Sequence, residues 1–484
     1  MTEESRLPTE GVPPLDRPHP HFGVEEIPVL ERLRGPLTLA LLVLAALAFV
    51  FFASYAHYIL DQAPHRVYKM LAGFAFIVIL FLRPEWTLML LPFALPYSEM
   101  LPVTPIPLFN STNVLMFALL LSWIGHSVLL KRRILEPSPW NRPLLLFLGY
   151  TMASALFGIF VRGHGAAEIY PRLQSWWYAM MGFILFFVTY NTVREKKQIR
   201  LLVYLYCVGA GLGALGVLSE YRDYSYARRV AGGMGDINGA SAYFACAIVF
   251  TVEVLGSHYR HLWQKLLLVG ALIGSGIGMI LPASRGAIVA CAATGGVQAM
   301  RSGPIRMMLV IVTGIAIYIF TPAHVKERFA ETQAEVSAGE FAEGSSGRVD
   351  IWKGAIEVIK SNPIVGVGFG QLPNAMGETS LGERRVAHNL YLETMAEMGI
   401  PGIVLLGTLF WRGLRGARRL RKESGFPRTL GNAYFYFVVS LLISNIFGGR
   451  LYAVYTAGAL SILTALVFRT QRILDQERRS ISSL

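Results

Sequence analysis

The chain has 484 residues, 54% of them hydrophobic and only 15% charged, and a formal net charge of +13. So few charges cannot cover the surface of a water-soluble protein of this size, which excludes a soluble globular enzyme. The positive balance raises nucleic-acid binding as an alternative, but the cations fall in short loops between apolar runs, and membrane topology accounts for them without nucleic acid.

Residues 1–36 are rich in Pro, Glu and Arg and lack an apolar region at the start, the composition of a disordered cytoplasmic tail rather than a cleaved signal. Apolar runs follow at 37–56, 67–82, 86–101, 113–130, 143–161, 176–193, 199–219, 238–256, 263–281, 286–300, 306–321, 397–411, 431–448 and 451–468. Runs that long suit a hydrocarbon core of ~30 Å, and their continuity predicts helices rather than barrel strands. The 86–101 run contains Pro92 and Pro96 and is a candidate re-entrant segment. The fold class is therefore an all-α polytopic membrane protein with about twelve to fourteen transmembrane helices. Cys207, Cys246 and Cys291 all fall inside predicted spans and read as small buried apolar residues, with no disulfide framework.

Lys and Arg set the orientation. "KRR" (131–133), "REKKQIR" (194–200), "RSGPIR" (301–306), "RGLRGARRLRK" (412–422) and "RTQR" (469–472) recur at every second loop. Threading them puts both termini in the cytoplasm. The expected organisation is a helical bundle over 37–321, a large outer loop over 322–396 with amphipathic helices, C-terminal spans over 397–468 and a second cytoplasmic tail over 469–484.

Some arginines break the topology rule. The outer loop "EYRDYSYARRVAGGMGDINGASAYF" (220–244) carries Arg222, Arg228 and Arg229, then glycines, then Asn238 at a helix start. The turn "LPASRGAIVA" (281–290) places Arg285 at a helix N-terminus between two apolar runs, where the charge is costly unless an anion is bound. Free N–H groups and the helix dipole there also favour an anion. The large loop adds Arg348, Arg384 and Arg385. An interfacial arginine can also simply snorkel to lipid phosphate. Taken together, Arg228, Arg229, Arg285 and Arg348 suggest an outward-facing pyrophosphate or polyphosphate site.

Within the large loop, Ser346 can cap a helix whose apolar positions Val349, Trp352, Ile356 and Ile359 recur at helical spacing, ended by Asn362-Pro363. That helix is expected to lie on the membrane surface or on the bundle. "VGVGFGQ" (365–371) does not form a nucleotide-binding glycine motif and reads as tight backbone approaching a ligand or another helix. In "AHNLYLETMAEMGIPG" (387–402), Asn389 is a candidate N-cap, with Tyr391 and Glu393 in the first turn of a helix over 390–398. Gly399 can end that helix and Pro401 can open the next. His388 then stands at a helix start beside arginines, which lower a histidine's pKa. Spacing alone leaves it either a hydrogen-bonded cap residue or a proton-handling group.

The sequence "SGRVDIWKGAIEVIKSNPIVGVGFG", a spacer, then "AHNLYLETMAEMGIPG" resembles the signature of the O-antigen ligase and O-antigen polymerase superfamily of bacterial inner-membrane proteins. "SRG" at 284–286 and "RRVAGGMGDIN" at 228–238 resemble it too, and the likeness covers about residues 225–411. The resemblance implies a fold similar to C-type membrane glycosyltransferases and a site at the periplasmic face. It implies transfer of an undecaprenyl-pyrophosphate-linked glycan onto a sugar hydroxyl, either of the lipid A core or of another lipid-linked glycan as in an O-antigen or exopolysaccharide polymerase. It also implies His388 as general base, Arg285 as a catalytic and pyrophosphate-binding residue, and Arg228 or Arg229 beside the pyrophosphate, with Asn238, Asn389, Tyr391 and Glu393 as possible supports. The late acidic residue of some members has no evident match, because 431–468 carries only Arg450. Direct displacement would invert the anomeric centre; no His/Cys/Asp cluster faces outward, so a metal-independent reaction without cofactor is expected. A non-enzymatic transporter or flippase of the same glycolipid is the alternative, expected to show ionisable residues deep within helices or paired broken helices.

Overall fold

The computed structural model describes residues 82, 84–98, 111–129, 133–161, 169–223, 229–257, 262–301 and 348–483, with scattered residues between 303 and 326. The candidate span 37–56, the span 67–82 apart from Leu82, and part of the span 306–321 lie outside the described residues, as do Arg228 and Ser346. Every described residue belongs to the unit Phe76–Leu484. The described secondary structure is helical, with no strand among the described residues.

Thirteen α-helices are found among the described residues. In chain order they are α1 (Pro84–Ala94), α2 (Ser111–Leu129), α3 (Asn141–Val161), α4 (Ile169–Thr192), α5 (Lys196–Asp223), α6 (Ile237–Leu255) and α7 (Leu262–Ile280). They continue as α8 (Arg285–Arg301), α9 (Arg348–Ser361), α10 (Leu372–Met376), α11 (Leu390–Leu420), α12 (Gly425–Ser444) and α13 (Val454–Ser482). Among the described residues six helices, α3, α5, α6, α7, α11 and α12, are long and apolar enough to cross a membrane. The protein is an all-α polytopic membrane protein. The 86–101 run does not form a membrane-length helix: α1 ends at Ala94 and passes into a 3-10 turn over Leu95–Tyr97. Pro92 and Pro96 cannot donate backbone hydrogen bonds, and Gly209 of α5 lets the Pro92 carbonyl approach closely.

The bundle is built around α6, whose residues from Gly239 to Val254 are all buried. It packs against α7, α8 and α12, while α13 packs along α4 and α5 along α7. The three cysteines are free and buried in this interior, on α5, α6 and α8. At the end of the bundle that carries the basic loops, Glu136 accepts from Arg469 at 2.7 Å, reaches Arg472 at 2.9 Å and pairs with Arg194. One carboxylate thus joins the loop before α3, the connection between α4 and α5, and the middle of α13.

The segment from α9 to α11 follows from an accounting of backbone groups at one break. Gly399 has φ 61 and ψ −160 inside α11, and Pro401 follows it, so α11 is two helices stacked across a kink. Pro401 has no N–H, which leaves the Glu397 carbonyl without its helical partner. Gly368 N–H donates to that carbonyl at 2.9 Å and Ser154 Oγ at 3.2 Å. Val367 N–H takes the Ala396 carbonyl at 2.9 Å, and Tyr150 Oη takes that of Met398 at 2.8 Å. The "VGVGFGQ" loop is therefore tight backbone against a helix, and its Gly368 (φ 103) lies directly on Gly158 of α3.

Helix α9 packs on α11, with Ile351, Ala355 and Val358 buried. Its inward face is turned from the expected one: Val349 and Ile356 are 37% and 41% exposed. Trp352 and Ile359 sit at the edge of the contact, and Gly354 faces Met376, Thr379 and Leu381.

Candidate functional site

Three turns meet at the end of the bundle opposite the basic loops. The first leads into α6. Asp236 is the N-cap, its carboxylate accepting from Asn238 N–H at 3.1 Å and Gly239 N–H at 2.8 Å. Arg229 spans from this turn to the next, donating from Nε to the Pro282 carbonyl at 2.9 Å and from Nη2 to Asn238 Oδ1 at 3.1 Å. Glu220, at the end of α5, fixes the intervening glycines by accepting from Ala231 N–H at 3.0 Å and Gly232 N–H at 2.6 Å.

The second turn leads into α8. Ser284 occupies the cap position, its carbonyl receiving Ala287 N–H at 3.1 Å and Ile288 N–H at 3.2 Å. Ala283 before it adopts φ 54, and Arg285 is the first residue of the helix, half-buried. Gly286 has no side chain because Phe447 packs directly on it.

That phenylalanine belongs to the third turn, Asn445 to Tyr452, between α12 and α13. Asn445 Oδ1 accepts from Leu451 N–H at 3.1 Å and holds the turn closed. Arg450 is 3% exposed. Its Nη2 donates to Ser284 Oγ at 3.2 Å, while its Nε and Nη1 are buried with no hydrogen-bond partner among the described residues. Burial pulls the guanidinium down to about 10, with Asp236 opposing and Arg348 adding to the fall. It stays charged at neutral pH, a buried cation with two unspent donors, and such a group is costly unless an anion meets it.

His388 faces the same place from α11. Ala387 and Asn389 on either side are buried, while His388 is exposed. Its φ of 49 is left-handed, before the extended Asn389, and turns its side chain away from its buried neighbours. Asn389 caps α11 through Oδ1, which accepts from Tyr391 N–H at 3.0 Å and Leu392 N–H at 3.2 Å. Trp352 Nε1 of α9 donates to the Ala387 carbonyl at 3.0 Å. The Glu393 carboxylate lies against Gly449 and receives the backbone N–H groups of His388 and Asn389. Tyr391 Oη donates to the Leu442 carbonyl at 2.8 Å, which anchors α11 to α12.

The imidazole is held below the ordinary histidine range, first by partial withdrawal from water, then by Arg348, with Arg450 and Arg385 adding to the effect and Asp236 opposing it. Ala283 and His388 are the described non-glycine residues with left-handed backbone, and both are in this region. Such strain costs ~1–3 kcal/mol per residue and persists where the surroundings impose it. The structure thus brings His388, Arg348, Asp236 and Arg450 within electrostatic reach of one another. Among the described residues, no three His, Cys, Asp or Glu side chains form a metal-ligand set.

Residues 268–407 match a family model described as O-antigen ligase. Over that segment the chain is similar to the O-antigen ligase and polymerase superfamily. The matched segment runs from α7 through the "SRG" turn, α9, His388 and the Gly399 break, so the turn at Ser284 and the cap of α11 both lie within it. It leaves out Asp236 and Arg450, which the structure adds from either side. Among curated proteins, none matches the chain.

Asp236 had a readable signal, an acid directly before an apolar helical run. Arg450 had only its isolation in an apolar stretch. Glu393 looked like a first-turn helix acid, and its approach to Gly449 depends on a turn that sequence spacing does not place.

Proposed function

We propose that the protein is a glycosyltransferase that moves a glycan from an undecaprenyl-pyrophosphate carrier onto a sugar hydroxyl at the periplasmic face of the bacterial inner membrane. The observation that carries this reading is Arg450: a buried cation with two unspent donors, set beside a histidine kept in its neutral form. A pyrophosphate answers the first group and a hydroxyl proton answers the second.

The acceptor oxygen attacks the anomeric carbon as the bond from that carbon to the pyrophosphate oxygen breaks, and the electron pair leaves with the pyrophosphate. The leaving group needs charge neutralisation rather than a proton. Arg285, Arg348 and Arg450 supply it, guanidinium being always cationic and suited to gripping two phosphate oxygens. Arg229, tied to Pro282 and Asn238, braces the two turns between which the anion sits; Arg228 is its neighbour in sequence and lies outside the described residues. His388 takes the acceptor's proton, a role worth ~10²–10⁴-fold. Attack opposite the leaving group inverts the anomeric centre, and no metal is needed for either step.

The acceptor in this reading is a sugar of the lipid A core, which makes the protein a ligase. The basic loops at the opposite end support cytoplasmic termini. The deciding experiment reconstitutes the full chain in proteoliposomes with a polyprenyl-pyrophosphate glycan and a lipid A core acceptor. Core-linked glycan that disappears in Arg450→Gln and His388→Asn supports the reading. Longer carrier-linked chains in place of core-linked product would make the protein a polymerase, and glycan moved across the bilayer with no chemical change would make it a transporter.

A further inference from the structure

The opposite end of the bundle holds a second feature that glycan transfer does not use. A cleft of about 1080 Å³ opens between the last turns of α11, the end of α8 and the sides of α12 and α13. Its apolar lining is Trp411, Leu414, Phe435 and Phe468, and its rim carries the exposed Arg301, Arg412, Arg415, Arg418 and Lys422. Trp411 is 65% exposed, on a helix that crosses the membrane.

Three acids at this end are already committed. Asp475 pairs with Arg419 at 2.6 Å, Glu423 with Arg478 at 2.6 Å, and Glu136 with the arginine cluster already described. Arg412 donates to the Pro139 carbonyl at 2.8 Å, and Arg421 donates to Asn432 at 2.9 Å while lying over the Phe435 ring. Arg415, Arg418 and Lys422 have no carboxylate within ion-pair reach among the described residues. A loop that merely obeys the charge rule for topology needs cations but needs no cavity and no aromatic walls.

We propose that this cleft binds an anionic phospholipid of the adjoining leaflet. The shape and the chemistry match the two halves of such a molecule: the apolar walls take acyl chain and glycerol, and the unpaired cations at the rim take phosphate. A free phosphate or pyrophosphate would satisfy the rim but leave the aromatic walls bare. The cleft is not an extension of the glycan site. Asn389 caps the part of α11 before the Gly399 break, and Trp411 lies on the part after it. Lipid binding here fixes the lower half of α11, the helix whose upper end carries His388.

The test uses the full-length protein in a zwitterionic detergent-lipid background, with three additions compared: diphosphatidylglycerol, phosphatidylcholine and inorganic pyrophosphate. Diphosphatidylglycerol is expected to raise the melting temperature by about 3–6 °C, with little change from the other two. In Arg415→Gln/Arg418→Gln/Lys422→Gln most of that shift disappears. Native mass spectrometry of the wild-type protein, which needs no variant, is expected to show anionic lipid retained over phosphatidylcholine. Equal stabilisation by phosphatidylcholine or pyrophosphate, or no preferential retention, overturns the proposal. None of these readouts involves glycan transfer, so the result stands apart from the fate of the proposed activity.

Discussion

Arg450 and Ser284, 166 residues apart, are joined by a hydrogen bond of 3.2 Å from Nη2 to Oγ. That bond ties the turn between α12 and α13 to the cap of α8, directly before Arg285. The tie uses one nitrogen and leaves Nε and Nη1 for something else. Arg450→Gln is expected to lower kcat/KM for glycan transfer by ~10²–10³, the scale for loss of one preorganised charge donor. Arg450→Lys keeps the charge but not the fork, and is expected to retain more activity than the glutamine variant. Transfer assays on membranes with matched protein levels measure this; wild-type rates in Arg450→Gln would remove the residue from the site.

His388 gives a cleaner separation of chemistry from folding, because its backbone is unusual. Asn tolerates left-handed φ better than Ala does. His388→Asn is therefore expected to melt within about 1 °C of wild type while losing ~10²–10⁴ of its turnover, the span attributed to a general base. His388→Ala is expected to lose activity and some stability together. Full turnover in the asparagine variant would return His388 to the role of a helix-cap residue.

The pH profile should report the charges around His388, and its sign can be worked out. The imidazole is lowered by burial and by Arg348, so the neutral base persists to a pH below the usual ~6.5 and turnover falls only on its acid side. Arg348→Gln removes a cation, which raises the histidine and moves the acid limb to higher pH. Asp236→Asn removes an anion, which lowers the histidine and moves the limb to lower pH; its amide oxygen can still cap α6. The pair of opposite displacements, read from kcat/KM against pH, is the expected result. Two shifts of the same sign would mean that the limb belongs to another group.

What the sequence revealed and what it withheld divide along a physical line. Asn389, Gly399 and Pro401 act through local backbone geometry, and the order of residue types alone points to a cap and a break. Apolar length likewise locates most helices, since membrane thickness imposes it. Arg450, Asp236 and Glu393 act through turns separated by scores of residues, and nothing in their neighbours says which turns meet. The face of α9 is an intermediate case. Its period is legible, but Val349 and Ile356 are as apolar as Ile351 and Val358, so composition cannot say which set faces α11. The arginines at 228–229 were readable as an anion-holding pair, yet Arg229 spends two nitrogens on Pro282 and Asn238.

The break in α11 is expected to be the most sensitive backbone feature of the segment from α9 to α11. Gly399 adopts φ 61, and a Cβ there would run into the Ile364 carbonyl. The neighbouring peptide groups cannot withdraw, because Val367 and Gly368 are holding the Ala396 and Glu397 carbonyls that the break leaves open. Gly399→Ala therefore combines ~1–3 kcal/mol of backbone strain with a clash against main chain, and should reduce the amount of folded protein as well as activity. Gly407 is the internal control: it lies on the same helix with nothing within 4 Å of an added Cβ. There alanine should be neutral or stabilising by up to ~1 kcal/mol, the usual helix preference over glycine. Thermal melts of the two variants side by side measure the contrast. If both behave alike, the Gly399 kink is not a constraint on the fold, and the registration of His388 by the segment below it would have to come from Trp352 and Asn389 alone.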